Sequence, residues 1–148
     1  MDDTDGLGVA MLVLRLATQV VEGIQDGLAE RGFADVRPAH GFAFVRISTG
    51  DATVLDVAEH LGVTKQAASQ LVEQLVRRGY LTRDRDPRDG RARLLTLTER
   101  GRECTRAAEE AAAAAAGEWR EHLGPGGLAT LHRMLRAVAV PGRLRPAW

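Results

Sequence analysis

The side chains best suited to chemistry in this sequence are cationic and hydrogen-bonding. Thr64, Lys65, Gln66, Ala67, Ser69 and Gln70 fall within seven positions, and no acidic residue follows before Glu73. A Gln amide offers a donor and an acceptor that match the N6/N7 edge of adenine, and a small Ala can touch a thymine methyl. On the outer face of a helix such a set is slim enough to enter a major groove. Arg83, Arg85, Arg88, Arg91 and Arg93 then fall within eleven positions. Guanidinium groups meet phosphates, and one at a loop tip can enter the narrow, negative minor groove. Asp86 and Asp89 are out of place beside phosphate. Each is expected to accept from a neighbouring Arg and brace the loop. The blander alternatives are a solvated helix face and a solvated charged loop.

Other chemistries find little support. The sequence has no Gly-rich phosphate loop, nucleophile elbow or His-Cys-Glu cluster, so no enzyme and no catalytic residue is expected. The four histidines (His40, His60, His122, His132) lack ligand spacing, and neither a metal nor a cofactor is expected. The single cysteine, Cys104, excludes an intrachain disulfide and reads as a small, partly buried filler.

The chain has 148 residues, 45% of them hydrophobic, enough for one ordinary domain with a core. Net charge is zero, yet it is unevenly spread. Residues 1–63 hold four Arg against ten Asp and Glu, whereas residues 77–106 hold ten Arg against five. The positive charge is thus focused where the Arg-rich stretch lies. No 18 apolar residues run together, so no membrane span is expected. The acidic start, Met1-Asp2-Asp3, is the opposite of a signal peptide's basic one. A soluble cytoplasmic protein is the expectation.

The periodicity supplies the elements that would position these residues. Residues 7–32 read as a long helix, with Val13, Leu16, Val20, Ile24 and Leu28 at three- and four-residue spacing and Gly32 at its end. Leu12, Leu14 and Val21 widen its apolar face, which calls for a second partner such as another subunit. Residues 38–48 form a shorter helix begun by Pro38, with Phe42, Val45 and Phe44 facing inward. A third helix, 54–61, follows an N-cap at Thr53, and Gly62 ends it. Thr64 caps a fourth, 65–78, whose apolar side is Ala68, Leu71, Val72 and Leu75. Ala58 is small where the two helices cross, and Gly62 tolerates the turn, as a helix-turn-helix requires. The period then changes to 2. Residues 80–85 and 92–98 form strands around a turn-rich Asp86–Arg91 loop, a hairpin with a basic tip. Thr98 caps a helix over 99–122, weakened by Gly101. Gly124–Gly127 breaks the chain before a last helix, 128–140, stopped by Pro141. The fold class expected is mainly α (α+β): a winged helix-turn-helix, 49–98, between terminal helices, 7–48 and 99–148.

At this point the sequence resembles the MarR family of regulators. Asp86-Pro87-Arg88-Asp89-Gly90-Arg91 is similar to that family's Asp-x-Arg-x-x-Arg wing signature. Leu61-Gly62-Val63-Thr64-Lys65 and Leu95-Thr96-Leu97-Thr98-Glu99-Arg100-Gly101 also follow its pattern, and the match covers about residues 9–140. The resemblance implies an obligate homodimer built from both terminal regions, a pseudo-palindromic double-stranded DNA operator, and repression more often than activation. It also implies a small, amphipathic or phenolic effector bound between the DNA-binding lobe and the dimerisation helices, with the start of the second helix near it. His40 and Phe44 are candidates for that site, although a polar surface histidine is the plainer reading of His40. Family members often carry Arg where this chain has Gln70, so the operator preference does not carry over. The alternative function is a winged helix used for protein contact alone, without an effector.

Overall fold

The structure is a computed structural model that describes residues 5–140. Residues 1–4 and 141–148, including the acidic start and Pro141, lie outside the described residues. Its elements are α1 (Gly6–Glu30), α2 (Pro38–Ser48), α3 (Val54–Leu61), α4 (Lys65–Arg77), β1 (Leu81–Arg85), β2 (Arg93–Leu97), α5 (Glu99–Gly117), α6 (Arg120–Leu123) and α7 (Gly127–Val138). This is the mainly helical winged helix-turn-helix expected from the sequence, with a long N-terminal helix and one small antiparallel sheet. The chain divides into two compact units. One holds α1, the C-terminal end of α5, α6 and α7; the other runs from Asp35 to Ala107.

In the first unit, α1 and α5 approach through small residues. A Cβ on Gly23 would lie 2.9 Å from the Ala115 Cβ, and one on Gly27 would lie 2.5 Å from the Ala111 Cβ. The Ala-rich run of α5 is therefore a contact surface as well as a strong helix former. Arg31 ends α1 by donating to the Gly27 carbonyl (2.9 Å) and pairing with Glu110 (3.6 Å). Leu7, Leu12, Leu14, Met134 and Val138 are exposed in this single chain. By length and composition α1 is also apolar enough to cross a membrane, with an 18-residue window of mean hydropathy 1.6. The absence of an uninterrupted apolar run did not reveal this, because Arg15 and Glu22 punctuate a helix that is apolar on average.

In the second unit, α2, α3, α4 and the hairpin share one core: Phe44, Ile47, Val57, Val72, Leu75, Tyr80, Leu81 and Leu95. α2, which the sequence grouped with the terminal helices, packs on α3 and β2. Its buried face is His40, Ala43, Phe44 and Ile47, whereas Val45 is exposed and Phe42 half-buried. The inward face expected from Phe42 and Val45 is thus rotated. Positions 40, 43, 44 and 47 make one helical stripe, and the apolar residues on either side of it masked the phase.

His40 is correspondingly not a surface histidine. Its Nδ1 accepts the Arg37 N–H at 2.9 Å, satisfying an orphan donor at the start of α2. Burial first, and then the nearby Arg78 guanidinium, hold its pKa below the usual value. Cys104 is fully buried, with its thiol pushed up to about 11, chiefly by burial.

One expected helix is two. The 99–122 segment stops at Gly117, turns over Glu118 and Trp119, and resumes as α6. Gly117 is the weakest helix former at that point. Gly101 has the opposite explanation. It is buried, and a Cβ there would collide with the Tyr80 carbonyl and lie 3.1 Å from Leu97 Cδ2. It lowers helix propensity because only glycine lets α5 start against the hairpin.

Candidate nucleic-acid interface

The scaffold of the interface is local hydrogen bonding. Thr53 and Asp56 form a capping box at α3. Asp56 Oδ2 accepts from the Thr53 N–H and hydroxyl, both at 2.8 Å, and the Asp56 N–H donates to Thr53 Oγ1 at 3.3 Å. Burial alone would raise the Asp56 pKa; the two Thr53 hydrogen bonds outweigh it and lower it. α3 ends on Gly62 at φ 70°, the left-handed geometry that lets the chain turn sharply. Ala58 is buried where α4 crosses. Thr64 Oγ1 then accepts the Ala67 N–H at 3.1 Å and starts α4.

α4 buries Ala68, Val72 and Leu75, with Leu71 half-buried. This fixes its opposite face. Thr64, Lys65, Gln66, Ala67 and Gln70 are exposed, and Ser69 is half-buried. The amides of Gln66 and Gln70 make no hydrogen bond among the described residues, so both are available to a ligand.

The hairpin pairs Leu81 with Leu97, Arg83 with Leu95, and Arg85 with Arg93. These residues share one face of the ribbon, because strand side chains alternate. Its inner end is buried leucine and its outer end is arginine. Arg85 directly opposite Arg93 is a like-charge pair, destabilising by itself. The guanidinium groups of Arg83, Arg85, Arg91 and Arg93 are exposed, and none has a hydrogen bond or ion pair among the described residues. Asp84 points to the other face.

The loop between the strands is shaped by its two carboxylates. Asp86 Oδ1 accepts the Arg88 N–H at 2.9 Å and Arg88 Nε at 3.3 Å. The Arg88 N–H first, and then its guanidinium, lower the Asp86 pKa. Asp89 Oδ1 accepts the Arg91 N–H at 3.0 Å. Arg88 is unlike the other four arginines, because its Nη2 also lies 3.2 Å from Asp51 Oδ2. A contact from Arg88 to DNA must compete with two carboxylates.

Sequence reasoning missed Asp51. It has φ 48°, the one positive-φ non-glycine among the described residues, and its carboxylate holds Arg88. The next residue, Ala52, bridges to Leu95, whose N–H donates to its carbonyl at 2.8 Å. The only available signal was the Thr49-Gly50-Asp51 turn. A second missed network sits behind the hairpin. The Tyr80 hydroxyl donates to Asp35 Oδ1 at 2.8 Å and accepts from Arg100 Nη2 at 3.1 Å, and Arg100 stacks 4.8 Å above the Tyr80 ring. Phe44 packs on the same ring, with centroids 5.8 Å apart. Phe44 and His40, the effector candidates, are therefore parts of a closed core in this structure.

A helix-turn-helix followed by a basic two-stranded hairpin defines the winged helix-turn-helix class. Residues 35–92 match the MarR family, the same family that the sequence resembles. The fold is that of solved MarR-type regulators. Wild-type MarR from E. coli in its apo form superposes with TM-score 0.71 at 20% identity, covering 88% of this chain and 96% of that one. A mutant E. coli MarR complexed with operator DNA gives 0.68 at 19%, covering 95% and 99%. CouR from Rhodococcus jostii RHA1, bound to p-coumaroyl-CoA, gives 0.65 at 24%, covering 92% and 94%. No curated protein matches the chain.

Proposed function

We propose that the chain is a sequence-specific regulator of transcription that binds double-stranded DNA as a homodimer in the cytoplasm. The observation that carries this reading is the set of four unpaired arginines on the hairpin beside a helix face free of acid. Arg85 opposite Arg93 is unfavourable until an anion lies between them, and a phosphate backbone supplies one. Lys65, Gln66, Ala67, Ser69 and Gln70 of α4 read base edges, with Thr64 at its start. Arg91 enters the minor groove, and Arg83, Arg85 and Arg93 hold phosphates; Arg88, Asp86 and Asp89 shape the loop. Helices α1 and α7, with part of α5, pair two copies about a two-fold axis. The operator is then pseudo-palindromic, with half-sites about 10 base pairs apart.

The finer reading is a repressor released by a small amphipathic or phenolic ligand. Its support is the resemblance to MarR and the ligand seen on CouR. Such a ligand acts by favouring a dimer whose recognition helices have the wrong spacing.

The test compares Gln70→Ala with Arg91→Ala by fluorescence anisotropy on the DNA upstream of the gene and on random DNA. Gln70→Ala should cost about 1–3 kcal/mol on the preferred site and little on random DNA. Arg91→Ala should weaken both and reduce the salt slope by about 1 for each phosphate that a subunit no longer neutralises. No salt-dependent binding to any DNA would leave protein contact as the function.

A further inference from the structure

Of the five wing arginines, Arg88 alone is ion-paired among the described residues. Two carboxylates hold it. Asp86 Oδ1 lies 3.3 Å from its Nε, and Asp51 Oδ2 lies 3.2 Å from its Nη2. The two differ in exposure. The Asp86 side chain is 11% exposed and belongs to the loop, whereas that of Asp51 is 69% exposed and stands in solvent.

Asp51 is nevertheless fixed in place. Its backbone takes φ 48°, which an Asp tolerates, directly after Gly50 at φ 92°. On the α2 side, Arg46 Nη1 donates to Thr49 Oγ1 and to the Gly50 carbonyl, both at 3.1 Å, and Arg46 Nη2 lies 3.6 Å from Asp56. On the other side, the buried Ala52 bridges to Leu95 of β2. A turn held at both ends thus presents one carboxylate, whose partner among the described residues is Arg88.

This arrangement opposes an anion at Arg88. Asp51, Asp86 and Arg88 together carry one net negative charge. A phosphate that takes Arg88 must displace Asp51 and leave its carboxylate beside a second anion. An exposed pair is weak by itself, but Asp86 already fixes the Arg88 side chain, so the two carboxylates act on it together.

We propose that Asp51 is an autoinhibitory residue that holds Arg88 off the DNA backbone, so that each subunit neutralises one phosphate fewer than its wing arginines allow. The proposal rests on the DNA-binding reading above and deepens it. Phosphate contacts carry no direct sequence information, so the restraint acts on operator and random DNA alike. It leaves discrimination to α4 and sets the salt range over which the protein leaves DNA.

Fluorescence anisotropy at about 50 and 200 mM salt, on the DNA upstream of the gene and on random DNA, tests this. Asp51→Asn keeps the side-chain size and the tolerance of positive φ, and removes the charge. It should bind both DNAs more tightly at the lower salt. Its salt slope should steepen by about 0.9 per subunit. For a dimer, the affinity lost over that rise in salt is then about tenfold larger than for wild type. Asp51→Asn with Arg88→Ala should return the slope to the wild-type value, because the gain runs through Arg88. If Asp51 only braces the wing, Asp51→Asn weakens binding and the slope stays or becomes shallower, which overturns the proposal. A gain that survives in the double variant also overturns it, since Asp51 then repels phosphate directly. Should circular dichroism show Asp51→Asn unfolded, Asp51→Gly, which accepts the same φ, decides by the same slopes. A wild type without salt-dependent binding to either DNA would remove the DNA-binding reading itself, and this proposal with it.

Discussion

Gly101→Ala and Gly41→Ala are the same chemical change on two helices, and the structure gives them opposite signs. Both sit at helical φ, so an alanine removes the conformational freedom of glycine and gains up to about 1 kcal/mol in a helix interior. At Gly41, in α2, nothing lies within 4 Å of the new Cβ, and the gain is realised. At Gly101 the new Cβ collides with the Tyr80 carbonyl, and Leu97 Cδ2 lies at 3.1 Å. The carbonyl is backbone, and its oxygen also accepts the Thr98 N–H at 3.0 Å, so it cannot swing aside. Thr98 is tied there as well, since its hydroxyl donates to the Gly79 carbonyl at 2.5 Å. Overpacking of this kind costs about 1–3 kcal/mol, and the rigid partner places Gly101 at the upper end. The net expectation is a loss of about 1–2 kcal/mol for Gly101→Ala and a gain of about 0.5–1 kcal/mol for Gly41→Ala. For a chain of this length those are shifts of about −3 to −8 °C and +2 to +4 °C in Tm. Thermal unfolding by circular dichroism at fixed protein concentration reads both. Equal shifts, or a stabilised Gly101→Ala, would refute the close approach of α5 to the hairpin.

Two further outcomes follow from the wing and from the Tyr80 cluster. Asp86→Ala should weaken operator binding in anisotropy measurements although it deletes a negative charge, because it releases the Arg88 N–H that shapes the loop while Asp51 still holds the guanidinium; tighter binding would show that the carboxylate merely repels phosphate. Tyr80, the only tyrosine, has its pKa pushed up to about 12, first by burial and then by its hydrogen bond to Asp35. A raised folded-state pKa means that the neutral form stabilises the fold below pH 10, and that this contribution, about 3 kcal/mol, is lost between pH 10 and about 12. Absorbance at 295 nm should rise near pH 12 rather than near pH 10 while the far-ultraviolet circular dichroism persists; titration near pH 10 with the fold intact would contradict it.

Elements marked by local chemistry were legible in the sequence. Thr53 and Thr64 cap, Gly62 turns, and the period changes at Tyr80, each acting over a few residues. The exposed face of α4 followed from its buried one. The α2 face did not, because Phe42, Ala43, Phe44, Val45 and Ile47 are nearly all apolar, and a pattern without polar gaps has no phase. The Asp51–Arg88 pair joins residues 37 positions apart, and no local rule reaches so far. Gly101 has the look of a helix flaw in the sequence, and only the Tyr80 carbonyl beside it explains it. His40 has the look of a solvent-exposed residue because its partner is a backbone N–H, which any residue could have supplied.

The bridge from Ala52 to Leu95 bears on how docking is distributed in entropy. With Ala52 paired to one strand and the leucines packed below, the inner half of the hairpin is already ordered before any ligand arrives. Between the strands, Asp86 and Asp89 hold the loop backbone through the Arg88 and Arg91 N–H groups, so it is the exposed arginine side chains that remain to be ordered. Ordering costs on association scale with the number of side chains newly fixed, so in the proposed complex the loss would be confined to the arginine side chains of the wing. In the proposed DNA complex, a wing built this way would meet the duplex with its backbone already set and would adjust through its arginine side chains alone.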